Sequence, residues 1–400
     1  MSTTCSLRGR DSNLPIIMPD PNRSQSMNGN TKKRKRDNLQ ACTRRFFDAI
    51  KTNNWVVVEE ILKQPNGKDI LQYSENLTLN ETCLRLRFMY TNIPMHVFEL
   101  CYKLSPEFRL KTDRNGNSVF HNVCLAEKCD DIVTDFFVKQ NVCSVMMRAD
   151  DGSLPLHCAI RAKKKSYTIQ MLISANTKSI HVADKKGHTP FNVFFETWNH
   201  IMVQMRSQYR GKFEDIPKTN NDYEILQQVK DTFLDLLYTI KYDKPREKDN
   251  AMLENWLPLH ESIQNKEVPN IYLILLSSTI PEQLSRKDES GNLPHHLLLF
   301  RESLSVHDMI YMYNKHKHGV LEQNRDGIYP LTLAIELQRN WNVIESISRL
   351  GPQVVSTRDE KTKFYPFMLA ATKVEDENAR VNAVYGLFRW NPFLIRLALP

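Results

Sequence analysis

One motif recurs along most of this sequence at a nearly constant spacing. It consists of an Asp or Asn, a Gly soon after it, and a Pro three residues beyond that Gly, as in Asp288, Gly291 and Pro294. With the Pro position as the anchor, the series runs Val119, Pro155, Pro190, Pro258, Pro294, Pro330 and Pro366. The successive intervals are 36, 35, 68, 36, 36 and 36 residues. A fixed period of this length predicts a chain built from stacked copies of one supersecondary unit.

Each copy of the motif has the chemistry of a tight turn followed by a helix. Gly supplies the φ > 0 conformation that the turn needs, and Pro is tolerated in the first helical turn, where its missing N–H costs nothing. Apolar residues then follow at spacings of three and four, as in Ile169, Leu172 and Ile173, which predicts a second helix. We assign the following residues to this structural framework: Gly116, His121, Gly152, Pro155, His157, Gly187, Pro190, Pro258, His260, Gly291, Pro294, His296, Gly327, Pro330 and Pro366.

The repeated unit resembles that of the ankyrin repeat family, in which a turn is followed by Thr-Pro-Leu-His-x-Ala and two antiparallel helices. The best match is Pro155-Leu156-His157-Cys158-Ala159. Most copies are about three residues longer than the usual 33, and they resemble the divergent ankyrin-like proteins of diatoms and related algae. The resemblance implies an all-α helical repeat solenoid of about nine helix pairs. It also implies that the recurring histidines hydrogen-bond the backbone of neighbouring turns.

The repeats place a solenoid domain at residues 46–400. Its approximate repeats are residues 46–76, 77–112, 113–148, 149–183, 184–251, 252–287, 288–323, 324–358 and 359–400. The fifth is longer because residues 191–210 and 223–242 both have the apolar spacing of long helices, whereas no second turn motif occurs near residue 224. We therefore predict one repeat with elongated helices, joined by a loop at residues 211–221.

The head of the chain, residues 1–45, differs from the rest in charge and composition. It holds ten basic and three acidic residues and so carries seven of the eight net positive charges. The rest of the chain carries about one. Few apolar residues occur before residue 39, so the head is predicted to be disordered. Its run Lys32, Lys33, Arg34, Lys35 and Arg36 resembles a nuclear localisation signal, which would bind an import receptor. Nuclear residence is therefore favoured over cytoplasmic residence. The apolar runs are too short to span a membrane.

The sequence offers no recognisable catalytic or metal-binding constellation. Nucleotide-binding, metalloprotease, hydrolase and kinase motifs do not occur in it. The recurring histidines would lie on separate stacked helices about 8–10 Å apart, too far for one metal ion. His295 with His296, and His316 with His318, lack a third ligand at a suitable spacing. We expect no cofactor, no metal and no enzymatic activity. Lys163, Lys164 and Lys165 are predicted to be solvated.

These observations favour a non-catalytic scaffold or adaptor that binds other proteins through the turn tips and first helices of its repeats. The predicted protein-binding tips are Arg114, Asn115, Asn117, Asp150, Asp151, Ser153, Lys185, Lys186, His188, Glu289, Ser290, Asn292, Arg325, Asp326 and Ile328. Two alternatives stay open. One is a ligand-binding or regulatory subunit of an enzyme, built around the long helices of the fifth repeat. The other is a nucleic-acid-associated factor that acts through the basic head.

Overall fold

The computed structural model describes residues 21–71, 94–104, 112–113, 115–126, 131–140, 142–209, 212–246 and 256–393. These residues form helices and turns and contain no strand, so the all-α prediction is confirmed. A single antiparallel bridge joins Thr112 to Ser118. The chain divides into two compact units, Met1–Phe108 and Arg109–Pro400.

The described part of the first unit contains three helices and a shorter helical segment at residues 67–71. The three helices are α1 (Pro21–Lys51), α2 (Trp55–Lys63) and α3 (Met95–Leu104). Phe46 and Ile50 of α1 are buried with Val58 and Ile61 of α2 and with Val97 of α3. This cluster is the hydrophobic core of the unit.

The N-terminal head differs from its predicted disorder over residues 21–45, because these residues belong to α1. From Leu39 onward an apolar stripe follows at helical spacing through Cys42 and Phe46, and this stripe packs in the core of the unit. Lys and Arg are good helix formers, so the basic run is compatible with the same helix. The predicted boundary at residue 46 therefore falls inside α1. Residues 1–20 lie outside the described residues, as does Cys83, where the 36-residue spacing places a further anchor.

The second unit is built from helix pairs. The first members of these pairs are α4 (Val119–Leu125), α6 (Pro155–Arg161), α8 (Pro190–Gln208), α10 (Pro258–Gln264), α12 (Pro294–Leu297), α14 (Pro330–Glu336) and α17 (Pro366–Lys373). The second members are α5 (Asp131–Gln140), α7 (Ser166–Ala175), α9 (Asn221–Tyr242), α11 (Asn270–Thr279), α13 (Val306–Lys315), α15 (Trp341–Leu350) and α18 (Glu377–Trp390). The short helix α16 (Pro352–Val355) follows α15.

Each first helix begins at an anchor of the sequence motif. In six of them the first helical residue is the Pro of the motif, and in α4 it is Val119. The Pro residue fixes φ at a helical value and has no N–H to leave unpaired, which explains why the helix begins there.

In neighbouring pairs, first helices pack against first helices and second helices pack against second helices. Among the first helices, α4 contacts α6, α6 contacts α8, and α10, α12, α14 and α17 follow one another in contact. Among the second helices, α5 contacts α7, α7 contacts α9, and α11, α13, α15 and α18 form a second such series. The turns of successive pairs are thereby brought next to one another.

The pair formed by α8 and α9 is the longest in the second unit, as the sequence predicts. The two helices have 19 and 22 residues. A short 3-10 turn, Phe213–Asp215, lies between them, and it contacts α11. Buried Phe194 and Phe233 contact Tyr272 of α11, with ring centroids 5.5 and 5.1 Å apart, and Phe191 stacks on Phe233 at 6.0 Å. The long pair is thus joined to the next pair by an aromatic core.

Candidate functional site

Among the described turns that precede the first helices, a polar side chain of the turn itself binds the backbone of the turn. In the turn at 288–292 the N–H of Asp288 donates to the carbonyl oxygen of Asn292 at 3.0 Å, and the N–H of Gly291 donates to that of Asp288 at 2.9 Å. The carboxylate oxygen Oδ1 of Asp288 accepts from the N–H groups of Ser290 and Asn292 at 2.9 and 2.8 Å. Gly291 has φ +74°, which is the reason for the glycine. Glu289 and Ser290 are left exposed at the tip.

The same bonds recur in the other turns. Asp113, Asp184 and Asn324 occupy the position of Asp288, and each accepts from two backbone N–H groups of its own turn. The turn at 149–153 begins instead with Ala149, and there Asp151 accepts from the N–H of Ser153 at 2.8 Å. The polar residue at the start of the turn therefore has a structural role.

Successive turns are joined to each other by backbone hydrogen bonds. Asp150 donates to the carbonyl oxygen of Asn115 at 3.0 Å, and Lys185 donates to that of Asp151 at 2.8 Å. In the later repeats Arg325 donates to Ser290 at 3.0 Å. These bonds fix the spacing between neighbouring tips and line them up along one side of the unit.

Each of the four recurring histidines connects its own first helix to the turn of the next repeat. His121, His157, His260 and His296 each place Nε2 at 3.1 Å from a carbonyl oxygen, those of Ser153, His188, Asn292 and Ile328 respectively. The acceptor is always the last residue of the following turn. The structure thus contains the backbone bonds that the repeat resemblance implies.

The hydrogen bond of the other ring nitrogen shows which nitrogen of His157 carries the proton. In His157 the atom Nδ1 accepts from the N–H of Leu154 at 3.0 Å, so the proton is on Nε2, which donates to the carbonyl of His188. Burial lowers the pKa of His157 to about 4. It also lowers the pKa of His121, His260 and His296. Neutral histidine is therefore the form that fits this position.

The structure places most of the predicted tip residues at the surface. Exposed tips are Asn115, Asp150, Asp151, Lys185, Lys186, Glu289, Ser290, Arg325 and Asp326. Asn117, His188, Asn292 and Ile328 are partly buried. Arg114 lies outside the described residues. Ser153 is buried, because its hydroxyl lies between Asp151 and Arg161 and its carbonyl accepts from His121. Its assignment as an exposed tip is therefore corrected.

A groove of about 440 Å³ lies between the tips and the first helices of two adjacent repeats. Asn115, Asp150 and Asp151 line it from the turns, and Leu125, Cys158 and Arg161 line it from α4 and α6. Arg161 is held in place by Asp184, whose carboxylate is 3.0 Å from the guanidinium. The pKa of the Cys158 thiol is raised to about 12 by burial, so this cysteine is protonated at neutral pH and unsuited to nucleophilic catalysis.

Two further predictions concern the lysine run and the other histidines. Lys163 and Lys165 are exposed, but Lys164 is buried and donates from Nζ to the carbonyl of Ala126, so its predicted solvation is corrected. Ala126 is the C-cap residue of α4, so the lysine reaches the carboxyl end of that helix. His295 is buried and stacks on Tyr313, with ring centroids 4.9 Å apart. Within the described residues no group of three or more His, Cys, Asp or Glu side chains is arranged to hold a metal ion.

Contacts of the long pair were not predictable from the sequence pattern. Arg206 of α8 pairs with Asp308 of α13. Glu214, in the turn after α8, binds Lys315 and accepts from the hydroxyl of Tyr311 at 2.9 Å. These charged residues have no periodicity of their own, so nothing in the sequence pattern indicates that they meet.

No protein-family model matches the chain, and no curated protein matches its sequence significantly. In the part of the chain that the structure describes, none of the helices has both the length and the apolar character needed to span a membrane.

Proposed function

We propose that this chain is a non-catalytic protein-binding scaffold whose second unit is a divergent ankyrin-type solenoid. The single observation that carries the proposal is the row of turn tips, joined by backbone hydrogen bonds and bordered by the groove at Asp150 and Asp151. A surface with a rigid backbone and exposed, varied side chains is suited to recognising a folded partner, because little conformational entropy is lost on binding.

The charges of the tips favour a protein partner over nucleic acid. Asp150 and Asp151 are acidic, the next tip carries Lys185 and Lys186, and the later tips again mix both signs. A surface that follows a phosphate backbone needs a dense array of cations. Alternating charges instead suit a protein surface of complementary pattern.

The test is an affinity capture from nuclear extract with the full-length chain as bait, with and without nuclease. The tip variant carries Asp150→Lys and Lys185→Glu. The control variant carries Lys178→Glu and Lys244→Glu, at exposed positions away from the tips. We expect proteins that survive nuclease, are lost with the tip variant and are kept by the control variant.

Either of two results would count against this function. Captured proteins that are the same for the tip variant and the wild type would remove the tips as the binding surface. Loss of all captured proteins on nuclease treatment would favour the nucleic-acid alternative, in which the basic head makes the contact.

Nuclear import through the basic run is the second part of the proposal. Lys33, Arg34, Lys35 and Arg36 are all exposed on α1, so a receptor could reach them without unfolding the core of the unit. Replacing Lys33, Arg34 and Lys35 with Ala should move a tagged protein from nucleus to cytoplasm with no change in thermal stability. Ala at the exposed Arg44 and Arg45 is the matched control. An unchanged nuclear fraction in the triple variant would exclude this role for the run.

A further inference from the structure

A second groove lies between the helices α15 and α18, on the layer of second helices. Its volume is about 710 Å³. Trp341 and Arg349 line it from α15, and Tyr385, Arg389 and Trp390 line it from α18. None of these residues belongs to a turn tip, so the groove is distinct from the surface proposed above.

The floor of the groove depends on a glycine. At Gly386 an added Cβ would overlap the six-membered ring of Trp341. The indole therefore rests directly on the backbone of α18, in a space that no other residue type would leave open. This close approach keeps Trp341 at the bottom of the groove.

The rim of the groove exposes aromatic rings to solvent. Tyr385 is 67% exposed and Trp390 is 39% exposed. Val381, one helical turn before Tyr385, is exposed as well. Large apolar side chains grouped on one face of a helix are typical of an interaction surface, since each would gain from being covered.

Arginines provide the polar part of the groove. Arg349 pairs with Glu345 one turn earlier in α15, at 2.7 Å, and the Arg349 side chain is exposed whereas that of Glu345 is partly buried. Arg389 has no ion-pair or hydrogen-bond partner within the described residues. The groove therefore presents one unpaired guanidinium beside three aromatic rings, and its charge is complementary to a carboxylate.

We propose that this groove binds a short acidic peptide segment that carries an aromatic or aliphatic side chain next to its carboxylates. The planar guanidinium of Arg389 matches a carboxylate with two parallel hydrogen bonds. The rings of Tyr385 and Trp390 supply apolar area at low entropic cost, and Trp, Tyr and Arg are the residues that most often dominate binding energy at interfaces. Single-stranded nucleic acid also stacks on aromatic rings, but it needs a longer track of cations than two arginines and one glutamate provide.

The experiment uses the full-length chain and fluorescein-labelled short peptides with Phe, Tyr, Trp or Leu at the centre and Glu on both sides. Matched peptides carry Gln in place of Glu, and an oligothymidylate serves as the nucleic-acid competitor. Binding is followed by fluorescence anisotropy, and the tryptophan emission of the protein reports on the groove. We expect at least one Glu peptide to bind with a Kd below about 1 mM, and its Gln counterpart to bind about ten-fold more weakly.

Variants separate this groove from the turn tips. Arg389→Glu and Tyr385→Ala should each weaken the peptide about ten-fold, and because both side chains are exposed, circular dichroism melts should match the wild type. Arg325→Glu makes an equal charge change at a turn tip, on the surface that carries the proposed scaffold function. This variant should leave peptide binding unchanged. The proposal is overturned if no Glu peptide binds, if neither groove variant weakens binding, or if the oligothymidylate displaces the peptide.

Discussion

Arg206 and Asp308 form an ion pair although 102 residues separate them along the chain. Arg206 lies in the last turns of α8, and Asp308 lies in the first turn of α13. Between these helices stands α11, which contacts both. Glu214 makes a second connection to α13 through Lys315 and Tyr311. The elongated α8 and the turn after it therefore reach past the adjacent repeat and attach to the one beyond it.

Removing Arg206 should destabilise the second unit. Asp308 is only 8% exposed in its side chain, so Arg206→Ala leaves a nearly buried carboxylate without its cation. We expect the free energy of unfolding to fall by about 1–3 kcal/mol, measured by urea denaturation. Lys139→Ala breaks the solvent-exposed pair with Asp135 and should lower the free energy of unfolding clearly less than Arg206→Ala does. Equal losses in the two variants would show that the long-range pair adds nothing.

The histidine bonds predict a loss of stability at His157. His157→Ala leaves the carbonyl of His188 and the N–H of Leu154 without their partners, at a cost of about 1–3 kcal/mol. His157→Gln should recover part of this, since an amide can replace one of the two bonds. The control is His188→Ala, which removes a partly exposed side chain but keeps the carbonyl that accepts the bond. A melting temperature of His157→Ala equal to that of the wild type would show that the hydrogen bonds of His157 do not stabilise the fold.

Two glycines with the same backbone conformation provide a matched test of turn stacking. Gly291 has φ +74° and Gly187 has φ +85°, so Ala at either position meets similar backbone strain, about 1–2 kcal/mol. A Cβ at Gly291 would also lie 2.8 Å from the N–H nitrogen of Arg325, whereas nothing lies within 4 Å at Gly187. Gly291→Ala should therefore destabilise the protein more than Gly187→Ala in denaturant titrations. A smaller loss at Gly291 would mean that the neighbouring turns separate without cost.

Stability should fall as the pH is lowered from about 6.5 towards 4.5. Burial lowers the pKa of His157 to about 4 and that of His295 to about 3, and it lowers the pKa of the other three repeat histidines. In this window the unfolded chain binds protons that the folded chain does not, so the free energy of unfolding rises with pH. The contribution of each histidine is fully present above about pH 6.5, the ordinary histidine value, and is lost as the pH falls towards the lowered pKa of the folded state.

The carboxylates with shifted pKa values either oppose this pH dependence of stability or contribute to it only at lower pH. Burial raises the pKa of Glu261, so the contribution of this group to stability is lost as the pH rises. This opposes the effect of the histidines, but it is the effect of one group against five. Asp184 and Glu214 have lowered pKa values, and their contribution is lost only below their usual range near pH 4. Urea midpoints measured at several pH values between 7 and 4.5 check the expectation. Unchanged midpoints down to pH 5 would contradict it, and His157→Gln should reduce the slope.

The sequence by itself determined the local features of the repeat. It located the first residue of the first helix in each pair from α4 onward, the turns with positive-φ glycine and the positions of the repeat histidines. It also predicted the elongated pair α8 and α9. These features depend on residues only a few positions apart: a glycine that permits the turn, a proline that begins the helix, and an apolar spacing that marks its buried face.

Only the tertiary structure decided which polar side chains are buried and what they contact. Ser153 and Lys164 appear solvated in the sequence, yet one is enclosed by Asp151 and Arg161 and the other reaches a carbonyl 38 residues away. The helical form of residues 21–45 and the pairing of Arg206 with Asp308 also depend on packing. The physical reason is that a turn is specified by its own residues, whereas the partner of a charged side chain is set by which helices the stacking brings within reach.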